Sequence, residues 1–164
     1  MSELLALDAD LSEREAFRSG GLAERWVAEY PDLFSPQDLG LAKNQPRYHY
    51  FEWRAAIEIR NRFGYLSLVE KYQYPSHKDK HALFLSLVPP GLTDLLAWPP
   101  PKPQAPDLFC FKEDRSSWFF CEVKGPTDRR RPAPDNLFKQ IEALIANEIR
   151  YVRFRNRDGA RLGA

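Results

Sequence analysis

The chain lacks most of the features that identify a protein quickly. Its only cysteines are Cys110 and Cys121, with no metal-ligand spacing around them, so a reduced cytoplasmic setting is the default. No apolar run approaches the length of a membrane span, and Met1-Ser2-Glu3-Leu4-Leu5 has no basic segment leading into an apolar one. Neither a membrane partner nor a secretory signal is therefore expected. A formal net charge of +1 excludes a polybasic coat; a nucleic-acid partner would have to be held by a local patch. There is no phosphate-cradling glycine loop, no nucleophile elbow and no internal repeat. His77 and His81 have the spacing of a helical zinc pair, but no third ligand and no HExxH glutamate accompany them.

What is present suits one domain with a real core, since 164 residues with 43% hydrophobic content can bury one. Residues 1–47 read as helical and irregular, a cap too short for a core of its own. Residues 48–164 read as the domain proper. Residues 49–63 predict the clearest helix, closed by Gly64. Helices are also expected at 66–73, 78–87 and 137–146, and strands at 92–98, 107–112, 118–124 and 149–154. The proline-rich stretch 99–106 reads as a stiff connector. The order from residue 49 is helix, strand, strand, strand, helix, strand: an α/β domain with a mixed β-sheet flanked by helices and an N-terminal helical extension.

The chemistry is concentrated in Trp118-Phe119-Phe120-Cys121-Glu122-Val123-Lys124. Side chains alternate along a strand, so Trp118, Phe120, Glu122 and Lys124 share one face. The run before Glu122 is apolar on both faces, which predicts a central, covered strand. Two charges then appear at its end, where an uncompensated one would cost several kcal/mol. If Glu113 faces Ser116 across the hairpin tip, Asp107 falls opposite Glu122, on the same face. Two adjacent carboxylates beside a lysine repel one another, and a divalent cation would relieve that. Hard oxygen donors favour Mg²⁺ or Mn²⁺. Both cysteines fall on the opposite face as buried free thiols.

Pro106-Asp107, fourteen residues, then Glu122-Val123-Lys124 resembles the PD-(D/E)XK nuclease signature. The longer string Glu122-Val123-Lys124-Gly125-Pro126-Thr127-Asp128-Arg129 resembles the VRR-NUC branch, which includes the Fanconi-associated nuclease and small stand-alone enzymes. The motif-bearing part covers about residues 105–154. Pro31-Asp32 and Pro134-Asp135 have no Glu-x-Lys downstream on an expected strand. The resemblance implies a restriction-endonuclease-like core and hydrolysis of phosphodiester bonds in DNA with Mg²⁺ or Mn²⁺. By the family pattern, Asp107, Glu122 and the backbone carbonyl near Val123 bind the metal, and Lys124 orients or deprotonates the attacking water. The family also uses a glutamate on its first core helix. Glu58 has Arg54 and Arg62 four residues away on either side and belongs to an outer face. Glu52 shares a stripe with Ala56, Ile59 and Phe63 and is the choice; Glu70 is the outsider.

Gln140 stands on the helix where the family carries a glutamine, although the gap before it is longer than usual. Arg129, Arg130 and Arg131 are placed to meet phosphates. Arg153 and Arg155 share a strand face and would extend a basic track. Tyr48, Tyr50, Phe51 and Trp53 suit core packing better than base stacking. The resemblance also implies flapped or branched DNA as a substrate class, and a homodimer as one arrangement of small members. The alternative is a nuclease fold kept as a weakly catalytic DNA-binding or partner-dependent module.

Overall fold

A computed structural model describes residues 1–96, 104–128 and 132–157, with 132–135 described by their backbone alone. Its first element corrects the helical reading of the N-terminus: Ser2–Ala9 is a strand, β1. From Leu5 to Ala9 the side chains alternate, with Leu5, Leu7 and Ala9 on the core and Ala6 and Asp8 exposed. Helices α1 (Leu11–Arg18), α2 (Gly21–Glu29) and α3 (Pro36–Asn44) follow. Asp10 caps α1 by accepting from the Glu13 N–H at 3.0 Å. Ser35 and Asp38 form a capping box at the start of α3, with proline at its first turn. Helix α4 (Tyr50–Phe63) ends at Gly64, whose φ of 68° is the left-handed conformation expected of a C-cap glycine.

Two further readings are corrected. The segment expected as a helix at 66–73 is a short strand, β2 (Leu66–Val69). Four residues are too few to show a period, and pairing with a neighbouring strand decides the matter. Of the strand expected at 92–98, residues 92–96 are instead part of helix α6 (Pro90–Leu96), which follows α5 (Lys78–Leu87), and 97–98 lie outside the described residues. Pro90 sits at the first helical position, where its missing N–H costs nothing. The hairpin β3 (Leu108–Phe111) and β4 (Trp118–Lys124) forms as read. Helix α7 (Pro132–Ile145) starts earlier than expected and leads into β5 (Arg150–Asn156). Of the proline-rich connector, residues 99–103 lie outside the described residues.

The strands form one mixed sheet of five, in the order β1-β5-β4-β3-β2. Strands β1, β5 and β4 run parallel; β4, β3 and β2 are antiparallel. From α4 to β5 the order is helix, strand, two helices, two strands, helix, strand, so α5 and α6 separate β2 from β3 where an unbroken run of three strands was expected. Both faces of the sheet are covered. On one, Cys110, Cys121, Val123 and Val152 meet Trp26, Phe34, Trp53 and Ile59. On the other, Phe109, Phe111 and Phe120 meet Phe84, Leu92, Phe138 and Ile141. This double cover is why β4 reads as a continuous apolar run. The N-terminal segment thus supplies an edge strand and, through Trp26 and Phe34, part of the core. Among the aromatics near α4, Tyr50 and Trp53 are buried and Tyr48 is exposed. Trp53 stacks on Phe34 at 4.0 Å. Among the described residues no helix is long and apolar enough to cross a membrane.

Candidate active site

The charges on β4 lie at its carboxyl end, where the chain leaves the sheet for α7 and the parallel strand β5. In α/β sheets that end of a parallel strand is where ligands are generally received. The hairpin pairs Leu108 with Cys121 and Phe111 with Trp118, so one step further along the same register Asp107 faces Glu122. Asp107 is fixed by its surroundings. The Val123 N–H donates to its carboxylate at 2.8 Å, and the Glu70 N–H donates to its carbonyl at 3.0 Å. The fully buried Tyr72 hydroxyl donates to the Pro106 carbonyl at 2.6 Å. Within a strand the N–H and C=O of one residue point to the same side, so the Val123 carbonyl also faces Asp107.

The acidic side chains here oppose one another. Burial pushes the Glu122 carboxyl up to about 7, against the pull of Lys124 and of hydrogen bonds with Asp107, and Asp128 adds to the rise. Burial first, then the charges of Glu122 and Glu52, hold Asp107 well above the usual carboxylate range despite the Val123 N–H. Glu52, on the first turn of α4, is also pushed up to about 7, by burial and then by Glu70. Helix α4 packs on the face opposite the Asp107 row, yet the charge of Glu52 still acts on Asp107. Each ionisation here makes the next more costly in a metal-free chain. His49 lies beside them. Burial would lower its imidazole, but the hydrogen bond and charge of Glu70 outweigh that and raise it. Among the described residues, no three His, Cys, Asp or Glu side chains converge as ready-made metal ligands.

Other expected residues fall in different places. Glu58 is bracketed by Arg54 at 2.6 Å and Arg62 at 2.7 Å, the salt-bridged outer face that was read for it. Glu70, the outsider, is brought to the site: its carboxylate lies 2.7 Å from His49 Nδ1 and contributes to the rise of both Glu52 and Asp107. Gln140 is exposed on α7 and lines neither of the two grooves beside the carboxylates. Arg129, Arg130 and Arg131 lie outside the described residues. Arg153 is the cross-strand neighbour of Lys124. It and Arg155 line a groove of about 540 Å³ that begins at Lys124 and Gly125. Both are paired with Glu3, at 3.4 and 3.8 Å. His81 Nδ1 lies 3.0 Å from the Tyr72 carbonyl.

Asp128, within the string that follows Lys124, shapes the site. Its carboxylate accepts from the Gly125 N–H at 2.7 Å, closing a turn directly after Lys124. A side chain at Gly125 would stand 3.3 Å from that carboxylate and 3.4 Å from the Phe51 ring. A larger residue there would have to displace one or the other by a few tenths of an ångström. The chain was compared with family models, with curated proteins and with solved structures, and it matches none of them significantly.

Proposed function

We propose that the chain is a metal-dependent nuclease that hydrolyses phosphodiester bonds in DNA. The observation that carries this reading is the juxtaposition of Asp107 and Glu122 at the end of β4. They are half-buried, the charge of Glu122 raises Asp107, and Glu122 shares its strand face with Lys124. Such a carboxylate pair costs stability, and a site that binds or transforms something is the ordinary reason to keep it. The reading carries a restriction-endonuclease-like core with it. Support for that comes from the antiparallel β3–β4 hairpin, the parallel β4–α7–β5 connection and the packing of α4 on the sheet.

The donor set fits Mg²⁺ or Mn²⁺ in its chemistry, because every group offered is a hard oxygen. Asp107, Glu122 and the Val123 carbonyl would hold the ion, with Glu52 as a further ligand. A divalent cation supplies a polarised phosphoryl oxygen and an acidified water. The chain's own residues do the rest. Lys124, next to Glu122, offers its ammonium where negative charge develops and orients the attacking water. Tyr72 and the Val123 and Glu70 amides hold Asp107 in place without solvent having to reorganise. Arg153 and Arg155 offer cations to the phosphates flanking the cut, once released from Glu3.

The test is cleavage of labelled single-stranded, duplex, flapped and four-way-junction DNA with Mg²⁺, Mn²⁺ or EDTA, beside a Lys124→Ala control. Cutting that needs both metal and Lys124 is the expected result. DNA binding without cutting of any substrate would replace this reading with that of a binding module.

A further inference from the structure

Strand β2 ends in a costly conformation. Glu70 and Lys71 both have left-handed backbones, with φ of 47° and 57°, and neither is glycine. A buried ammonium holds this turn. Lys80, on α5, is 8% exposed. Its Nζ donates to the Val69 carbonyl at 2.7 Å and the Glu70 carbonyl at 3.2 Å, and it is paired with the carboxylate of Asp38. All three ammonium donors are thus used. Asp38 is 4% exposed, and its second oxygen accepts from the Ser35 N–H at 2.8 Å and the Ser35 hydroxyl at 3.0 Å. From the other side the Glu70 carboxylate meets His49, itself left-handed at φ 77°, whose second nitrogen lies 3.0 Å from the Gln45 side chain. The Glu70 N–H reaches the Asp107 carbonyl.

A buried ion pair seldom stabilises a protein more than apolar residues of the same size would. This one is fully satisfied, and it grips the backbone of the residue facing Asp107. We propose that Lys80, paired with Asp38, is a positioning residue: it holds the left-handed turn after β2 and so sets Glu70 and Asp107 in one site. The N-terminal segment, through Asp38, then helps to build the site rather than merely covering it. The consequence for catalysis rests on the nuclease reading above; the consequence for the turn does not.

The test uses the full chain carrying Asp38→Leu with Lys80→Met, an apolar replacement of the pair. Urea midpoint, hydrogen exchange and Mn²⁺-dependent DNA cleavage are measured. The expected outcome is a midpoint near that of the wild type. The Glu70 amide should exchange at least tenfold faster while Phe120 keeps its protection. In cleavage, kcat should fall tenfold or more with KM unchanged. In a Glu70→Gln background the same pair of substitutions should cause no further loss, because the clamp acts through Glu70. If the apolar variant does not fold, Lys80→Arg serves, since a planar fork cannot bond two successive carbonyls and Asp38 from one point. It too should speed Glu70 exchange and lower kcat. Unchanged Glu70 exchange, or wild-type kcat, in the folded variant would overturn the proposal. A wild type that never cuts DNA would defeat the nuclease reading instead, and the exchange measurement would still decide the clamp.

Discussion

Replacing Glu122 with Gln should make the metal-free protein more stable while abolishing its activity. The Glu122 carboxyl is raised from 4.5 to about 7, mainly by burial. The folded chain therefore holds this proton more tightly than the unfolded chain does. The group's contribution to stability is full below its unfolded value and is lost as pH rises through about 7. At pH 8, where the group is ionised in both states, the cost is ~3 kcal/mol; at pH 5 it is under about 1 kcal/mol. A glutamine of the same shape removes that cost and also relieves Asp107, whose largest charge partner is Glu122. Urea unfolding in EDTA at both pH values measures the gain. The variant should be clearly more stable at pH 8 and nearly equal to the wild type at pH 5. A variant less stable than the wild type at pH 8, or one whose gain is the same at both pH values, would refute the claim that buried charge is stored here.

Other consequences are simpler. Burial pushes the Cys110 thiol up to about 12 and raises Cys121 as well, so neither should react with a thiol reagent at pH 8 until urea unfolds the chain; a fast-reacting thiol in the native protein would contradict their placement. Asp10→Ala removes the cap of α1 and should lower stability by about 1 kcal/mol in urea unfolding, with no change outside α1 by hydrogen exchange. Glu52→Gln should abolish Mg²⁺-dependent cutting with the fold intact, and wild-type rates in that variant would remove Glu52 from the site.

How far the sequence was legible depends on what decides each element. The hairpin register followed from a four-residue tip and strand parity, and the observed pairing of Leu108 with Cys121 is the one that reading requires. The Arg54–Glu58–Arg62 face followed from helical spacing alone. Local rules failed where pairing partners are distant. Strand β1 joins β5 across most of the chain, and Leu4-Leu5 at its start gives no clean alternation. Strand β2 is four residues long and exists because β3 is there to receive it. Glu70 reaches the site because β2 ends at Val69, where a helix over 66–73 was expected. The left-handed turn that brings it to His49 carries no glycine to announce it. Lys80 and Asp38 looked like two ordinary charges on two helices; only their burial together reveals a role.

The most direct test of the site as a metal centre needs no DNA. Mn²⁺ is titrated calorimetrically into the metal-free wild type, Asp107→Asn and Glu122→Gln. Saturable binding to the wild type, weakened at least tenfold in each variant, is the expected result. No binding at millimolar Mn²⁺, or equal affinity in all three proteins, would contradict it.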